Sequence, residues 1–254
     1  MTEIVELFPE PGDPLEPGAL LSRYAPADRS EPRLRVNFIQ SVDGSATLEG
    51  RSGGLGGPAD KAVFDILRGV SDVVLVGAGT ARAEGYGALT VTDDLMDWRL
   101  AQGLPAHPTM ALVSSSLDLD PAGDLFAKAF TRPLVFTVPS APQDARGRLA
   151  VVATVIDAGG TGDAEGRVDP ALVRRELLTR GLPQVLCEGG PRLFGDLIAA
   201  DLVDELCLTL SPVLEGGAGP RIALPARDAV VHRGLELALL LRSGSMLLSR
   251  WTRA

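Results

Sequence analysis

A strand, a glycine turn and a helix follow one another between residues 185 and 198, and this unit is the chain's strongest candidate for chemistry. The apolar residues 185–187 predict a strand, and Gly189 and Gly190 predict a tight turn. Pro191 suits the first position of a helix, where a missing backbone N–H costs nothing. Because a helix N-terminus has unpaired N–H groups and the positive end of a dipole, this unit is suited to bind a phosphate or pyrophosphate.

A purely structural role would also explain this turn, since many strand–helix connections contain two glycines only to turn tightly. The turn also lacks the G-x-G-x-x-G spacing of the dinucleotide-binding fingerprint. However, a second glycine turn, with Gly77 and Gly79, follows the apolar run at residues 72–77 and leads into another helix. Two such helix N-termini can converge on one polyphosphate, which favours a binding role.

Three other positions have side chains that can act on a substrate. Asp43 follows the strand predicted over residues 34–40, where open α/β sheets place their sites, although aspartate also stabilises turns through nearby backbone N–H groups. Arg68 lies near the end of a predicted helix, where an arginine ordinarily interacts with the helix dipole. Residues 114–116 are three serines that end the strand predicted over residues 109–113, and a polar turn would explain them equally well.

Length, composition and charge restrict the classes of function. The chain has 254 residues, 45% of them hydrophobic, which suffices for one large domain with a buried core. A net charge of −9 argues against non-specific binding to nucleic acid or to an anionic membrane surface. Because the sequence has neither an apolar run of membrane-spanning length nor a secretory signal, we expect a cytoplasmic protein without a membrane partner.

The cysteines and histidines do not indicate metal chemistry. Cys187 and Cys207 lie in apolar, strand-like contexts and are expected to be buried, reduced thiols. His107 and His232 are far apart and lack the usual spacing of metal ligands. We therefore expect no metal site.

The order of the predicted elements indicates the fold class. Residues 1–32 contain six prolines, which favours an extended N-terminal arm. Over residues 33–254, strands alternate with helices, which predicts a single α/β domain with a central mixed, mostly parallel sheet flanked by helices. Residues 235–241 and 246–251 flank a turn and predict an antiparallel hairpin at the C-terminus.

The motifs at residues 36–39 and 41–44, then 76–80, then 188–191 with Leu193, resemble in this order the pyrimidine reductase domain of riboflavin biosynthesis. That domain is the C-terminal part of a bifunctional deaminase–reductase. The resemblance covers roughly residue 33 to the C-terminus and implies a dihydrofolate reductase-like fold, NADPH as the cofactor and a homodimer. Since the zinc-deaminase motifs H-x-E and P-C-x-x-C are missing, we expect a stand-alone reductase.

The resemblance also implies a role for individual residues. Asp43 and Glu188 are expected to be catalytic, by relaying a proton or by orienting the heterocycle. Ile39 is expected to line the nicotinamide slot, and Ser114 and Ser115 to face the adenosine 2′-phosphate. The expected substrate-binding residues are Asn37, Ser52, Arg68 and Glu188. The expected cofactor-binding residues are Ile39, Val76, Gly77, Gly79, Thr80, Glu84, Ser114, Ser115, Gly189, Gly190, Pro191, Arg192, Leu193 and Phe194.

The chain departs from the family pattern mainly at positions that face the substrate. Residues 88–92 lack the arginine that the flavin-pathway members have near the substrate phosphate, residues 53–55 replace a tryptophan, and residues 84–86 replace Asp-Asp-Pro. The resemblance implies an NADPH-dependent reductase of a small molecule, 5-amino-6-(5-phosphoribosylamino)uracil or a related heterocycle. Two alternatives stay open: a dihydrofolate or pterin reductase on the same fold, and a nucleotide-binding module without catalysis.

Overall fold

One sheet with helices packed on both faces organises the computed structural model, which describes residues 3–161, 165–224 and 232–254. The strands of the described residues are β1 (Val5–Phe8), β2 (Arg33–Ser41), β3 (Val73–Gly77), β4 (Thr109–Val113), β5 (Leu134–Thr137), β6 (Thr154–Asp157), β7 (Gln184–Cys187), β8 (Glu205–Ser211), β9 (Leu235–Ser243) and β10 (Met246–Arg253). The helices there are α1 (Pro17–Tyr24), α2 (Pro58–Gly69), α3 (Ala78–Glu84), α4 (Asp93–Ala101), α5 (Asp124–Ala127), α6 (Gln143–Val152), α7 (Pro170–Thr179) and α8 (Pro191–Ala199), with a 3-10 turn at Gly53–Leu55.

The strand order confirms the predicted fold class. Across the described sheet the order is β1-β9-β10-β8-β2-β7-β3-β4-β5-β6. All neighbours from β8 to β6 pair in parallel, whereas β1, β9 and β10 add antiparallel pairs at the other side. The predicted C-terminal hairpin is the pair β9 and β10. The sheet is therefore mixed and mostly parallel, as expected.

The central strands are apolar because helices cover both of their faces. Strand β3 is buried over its first four residues, and all four residues of β7 are buried. Helices α2 and α8 start with Pro58 and Pro191 at positions suited to proline, and each has one buried apolar face. Since β2, β7 and β3 are parallel neighbours, their carboxyl ends meet at the same edge of the sheet.

The N-terminal segment differs from its prediction. The expectation of an extended arm is wrong for two stretches, since β1 pairs with β9 and α1 is a helix. Leu20 and Tyr24, four residues apart on α1, are buried in the core. Pro17 does not interrupt the helix, because it occupies the first turn, where its ring and missing N–H are tolerated. Proline content alone therefore understates the structure of this segment.

The structure also bears on what the sequence predicts about cysteines, metal binding and membranes. Cys187 and Cys207 are free and buried, as predicted, and burial raises the pKa of the Cys187 thiol to about 12. In the described residues, no group of three or more His, Cys, Asp or Glu side chains is placed to hold a metal ion. Among the described helices, none combines the length and the apolar character needed to cross a membrane.

A buried charge cluster joins β2, β8 and β10. Glu205, at the start of β8, has no solvent exposure, and its carboxylate forms an ion pair with the nearly buried Arg35 of β2. Arg33 lies 3.5 Å and Arg250 3.7 Å from the same carboxylate. Arg35 also donates a hydrogen bond of 3.1 Å to the backbone carbonyl of Tyr24. The cluster therefore connects helix α1 to three strands.

We predict that Glu205→Ala lowers the free energy of unfolding by roughly 3–5 kcal/mol, because it leaves the Arg35 guanidinium buried without its anion. Urea denaturation monitored by circular dichroism measures this. The matched control is Glu236→Ala on the exposed part of β9, for which we expect a change within about 0.5 kcal/mol. Similar small losses in both variants would contradict this role of the cluster.

Candidate active site

A cavity of about 960 Å³ lies at the carboxyl edge of the parallel strands, and its volume is in the range of small-molecule and cofactor sites. Its wall includes the second half of β2, both ends of α3, residues along the length of α2 and the turn after β7. Many of the predicted site residues line it. These are Asn37, Ile39, Ser52, Arg68, Gly79, Thr80, Glu84, Glu188, Gly190 and Pro191.

The two glycine turns are in direct contact. The Gly77 backbone N–H donates a 2.8 Å hydrogen bond to the Gly189 carbonyl. Gly189 has a φ of +102°, which L side chains rarely adopt, and a Cβ on Gly190 would lie 2.3 Å from the Thr80 hydroxyl oxygen. The Gly189–Gly190 peptide bond is cis. Only glycine fits this contact, and the two turns lie side by side, while their convergence on one polyphosphate stays a prediction.

Helix α8 starts at the cavity wall with an uncapped N-terminus. Its N-cap residue is Gly190, which has no side chain to cap the first backbone N–H groups. Leu193 and Phe194 turn their side chains into the core, where Phe194 stacks on Phe38 with ring centroids 5.1 Å apart. Arg192 is exposed beside them. The part of α8 that faces the cavity is therefore its backbone.

A bidentate ion pair forms one polar wall of the cavity. The Arg68 guanidinium donates two hydrogen bonds to the Glu188 carboxylate, of 2.6 and 2.7 Å. The Tyr86 hydroxyl donates a third, of 2.8 Å, to the same carboxylate. Arg68 also lies over the ring of Phe64, at 4.2 Å from its centroid. These contacts hold the buried Glu188 in one orientation. Arg68 therefore compensates the negative charge of the Glu188 carboxylate at the cavity wall.

Asp43 has the contacts of a turn residue. Its carboxylate accepts hydrogen bonds from the Ser41 hydroxyl and from the backbone N–H groups of Glu215, at 3.1 Å, and Gly216, at 2.8 Å. The bond from Ser41, followed by those from Gly216 and Glu215, lowers the pKa of Asp43 to about 2. Asp43 is exposed and does not line the cavity. The side chain connects the turn after β2 to the loop after β8, and its catalytic role stays a prediction.

The remaining predicted residues divide between the cavity and its surroundings. The Ser52 backbone N–H donates a 2.9 Å hydrogen bond to the Glu84 carboxylate, which joins the loop before α2 to the end of α3. Val76 is buried inside β3. The register of β3 and β4 places Ser114 beside the start of α3, where Ser114 is buried and Ser115 is exposed, both outside the cavity lining. Their contact with a 2′-phosphate stays a prediction.

Two cavity residues were missed by the sequence analysis. Tyr86 appeared there only as a departure from a family motif, with nothing to show that it reaches Glu188. Asp60 is the third residue of α2, and an acid in the first turn of a helix is ordinarily a partner of the dipole. It lines the cavity, and burial raises the pKa of its carboxyl. In the sequence, Asp60 stands close to Pro58 and Tyr86 stands close to Glu84. A local pattern shows only that each of them lies near the end of a helix.

The family of the chain follows from comparison with known proteins. Residues 32–241 match the model of the RibD C-terminal domain. The chain belongs to the RibD C-terminal domain family. This match confirms the resemblance seen in the order of the strand and glycine-turn motifs.

The proteins that are similar to this chain are named as reductases or as reductase-like. A 2,5-diamino-6-ribosylamino-4(3H)-pyrimidinone 5′-phosphate reductase from Archaeoglobus fulgidus is 28% identical over 73% of this chain and 83% of its own length. A protein of the same name from Methanothermobacter thermautotrophicus is 24% identical over 75% and 82%. The structure of a pyrimidine reductase-like protein from Corynebacterium diphtheriae has a TM-score of 0.81 and 27% identity, covering 92% of this chain and 98% of that one.

We predict that both tyrosines of the folded chain ionise at a higher pH than in the unfolded chain, where they ionise near pH 10. Burial raises the pKa of Tyr86, with a further contribution from Glu188, and burial also raises that of Tyr24. Because the folded chain then retains protons that the unfolded chain loses, stability falls as the pH rises above about 10. Ultraviolet titration of tyrosinate measures the ionisation.

The control for this titration is Tyr86→Phe. It should halve the tyrosinate signal of the unfolded chain and leave that of the folded chain unchanged. A tyrosine of the native protein that titrates near pH 10 and disappears in Tyr86→Phe would contradict the buried hydrogen bond to Glu188.

Proposed function

We propose that this RibD C-terminal domain protein is a reductase of riboflavin biosynthesis that uses NADPH to reduce a ribosylaminopyrimidine phosphate. The observation that carries the proposal is the contact between two glycine turns at a large cavity whose other walls have buried polar side chains. The names of the similar archaeal proteins support the substrate class. The family resemblance supports NADPH, a homodimer and a cytoplasmic enzyme, which are parts of the same proposal.

The residues at the glycine turns fit a dinucleotide cofactor. Gly190 leaves the first turn of α8 without a side-chain cap, and its backbone lines the cavity. Apart from its chain neighbours and the helix's own backbone, no atom of the described residues lies within 4 Å of the position that a Cβ on Gly79 would take, so a ligand can approach the backbone closely there. We assign the pyrophosphate to these backbone groups and the nicotinamide to the wall at Ile39. When bound, NADPH supplies the hydride, and the chain supplies position and charge.

The substrate end of the cavity is formed by β2, α2 and the Arg68–Glu188 pair. Asn37 and Ser52 line this region and offer neutral hydrogen-bonding groups. Lys61, at the cavity wall on α2, has a largely exposed side chain and pairs with Asp65 at 2.7 Å. We assign the substrate phosphate to Lys61, because its exposed ammonium can exchange Asp65 for a phosphate and residues 88–92 have no arginine.

A second candidate is the reduction of dihydrofolate or another pterin. The observation that favours it is the wall formed by Ala88 and Leu89, which is apolar where the flavin-pathway members have a cation for the substrate phosphate. A pterin ring has no ribose phosphate and needs no such cation. This candidate uses the same cofactor end of the cavity.

The test is turnover by the purified chain with NADPH and each of three compounds: 2,5-diamino-6-ribosylamino-4(3H)-pyrimidinone 5′-phosphate, its uracil counterpart, and dihydrofolate. We expect loss of NADPH absorbance with a ribosylaminopyrimidine phosphate, and a product that has gained two hydrogen atoms by mass spectrometry. Oxidation only with dihydrofolate would overturn the proposal in favour of the second candidate. If the chain binds NADPH but none of the three compounds leads to oxidation of NADPH, the chain would be a nucleotide-binding module without catalysis.

We predict that Gly79→Ala raises the Kd for NADPH by about tenfold, because the added methyl group occupies the space that the pyrophosphate needs. The fold should gain up to about 1 kcal/mol of stability, since alanine favours a helix over glycine. Fluorescence titration measures the affinity.

The matched control for Gly79→Ala is Gly147→Ala on α6. Gly147 is also helical and has no heavy atom within 4 Å of a built Cβ apart from its helix backbone. This variant should show the same gain in stability and unchanged NADPH affinity. Equal affinity of both variants and the wild-type chain would show that the cofactor does not contact α3.

A further inference from the structure

A second pocket, of about 300 Å³, lies between α8 and the start of β9. Its apolar floor includes Phe194 and Ile198 of α8, Leu206 of β8 and Leu235 of β9. An apolar cavity of about 150 Å³ holds one benzene ring, so this pocket has room for a flat body of roughly two fused rings. Among the described residues, none lines both this pocket and the main cavity of about 960 Å³.

Arginine side chains form the rim of the second pocket. Arg221, Arg233 and Arg253 line it and are exposed, and Asp201 is the acid among the described lining residues. Three guanidinium groups less one carboxylate give the described lining a net charge of +2. Since the whole chain has a net charge of −9, this concentration of positive charge is local and opposes the overall charge. The rim therefore attracts an anion.

The three arginines differ in how far the fold already uses them. The Arg233 and Arg253 guanidinium groups both donate to Oδ1 of Asp201, and Arg253 also donates a 2.8 Å hydrogen bond to the Asp201 backbone carbonyl. The Arg221 side chain has neither an ion pair nor a hydrogen bond within the described part of the chain. Because a guanidinium has five N–H donors and stays charged, Arg221 retains its full binding capacity for a ligand.

The backbone position of Arg221 is fixed on both sides along the chain. The Ala46 N–H donates a 2.8 Å hydrogen bond to the carbonyl of Pro220, the residue directly before Arg221. Three residues after Arg221, the Leu224 N–H donates a 3.0 Å hydrogen bond to the Pro191 carbonyl in the first turn of α8. These two bonds hold the intervening backbone against the body of the protein, so Arg221 stays at the second pocket.

An aromatic pair separates the second pocket from the main cavity. Phe38 lines the main cavity and Phe194 lines the second pocket, and their rings stack with centroids 5.1 Å apart. Phe194 is buried, so its ring fills the space between the two cavities. A molecule in the second pocket therefore contacts α8 without entering the site assigned to the cofactor and the substrate.

The apolar floor and the cationic rim together restrict the chemistry of a ligand. A small inorganic anion would leave the floor in contact with water, and a neutral apolar molecule would make no use of the guanidinium groups. A flat apolar body with a carboxylate, phosphate or sulfonate group satisfies both parts. The planar guanidinium of Arg221 can bind two oxygens of such a group at once.

We propose that the second pocket is a binding site for an organic anion with a flat apolar body of roughly two rings. Arg221 binds the anionic group, and the body packs on the apolar side chains of α8, β8 and β9. This site is additional to the proposed reductase site and does not depend on it.

The test uses two fluorescent probes that differ only in charge. The first is 8-anilinonaphthalene-1-sulfonate, and the second is N-phenyl-1-naphthylamine, which has the same rings without the sulfonate. Titration of the full chain with each probe gives two Kd values. We expect the wild-type chain to bind the sulfonate roughly tenfold more tightly, because charge-assisted hydrogen bonds from Arg221 add to the same apolar burial.

Two variants alter different parts of the pocket. Arg221→Glu reverses the charge at the rim, and Leu235→Glu places a carboxylate at the apolar floor, where Leu235 is 37% exposed. We expect each to raise the Kd for the sulfonate roughly tenfold. The matched controls are Lys61→Glu at the wall of the main cavity and Leu214→Glu at a leucine that is 76% exposed and lines neither cavity. Both controls should keep the wild-type Kd.

Several results would overturn the proposed site. Two of them need no variant, namely absence of sulfonate binding to the wild-type chain and equal affinity for the two probes. A wild-type Kd in Arg221→Glu or in Leu235→Glu would also overturn it. A comparable loss of affinity in Lys61→Glu would do so as well, because the probe would then lie in the main cavity. None of these measurements uses NADPH or a substrate, so this inference and the proposed function fail separately.

Discussion

The parallel pairing of β7 with both β2 and β3 is the constraint on which the cavity depends. Val185 of β7 pairs with Leu34 on one side and with Val73 on the other, so the three strands advance together. Their carboxyl ends then place the turn that starts at Gly77 and the turn that contains Glu188 and Gly189 at one edge, although more than a hundred residues separate the two turns in the chain. The hydrogen bond from Gly77 to Gly189 forms only because this register is kept.

Electrostatic compensation divides the acidic side chains into two groups. Glu205 and Glu188 are buried beside arginines that compensate their charge, and Asp43 is surrounded by backbone and hydroxyl donors. Removing a partner from such a group costs much more than the pair contributes, which makes these acids rigid supports. Asp60 differs from them, because burial raises the pKa of its carboxyl.

Local patterns predicted the central strands, several helices and the glycine turns, because each depends on a few neighbouring residues. Apolar runs identified β3 and β7, and the glycines identified where the chain must turn. Partners distant in sequence were not accessible: nothing in the local pattern shows that Arg68 pairs with Glu188, 120 residues away. The helical first turn concealed Asp60, since dipole stabilisation explains an acid there. At the N-terminus, proline content outweighed the spacing of Leu20 and Tyr24, although that spacing is helical.

The short strand β1 has a consequence for association between molecules. It covers the outer side of the nine-residue β9, which would otherwise present a long row of unpaired backbone N–H and carbonyl groups. β1 has only four residues and its register shifts between Glu6 and Phe8, so it offers a poor template for another strand. The N-terminal segment thereby protects an edge of the sheet at which strands of other molecules could pair. Its loss would promote aggregation before it affected the cavity.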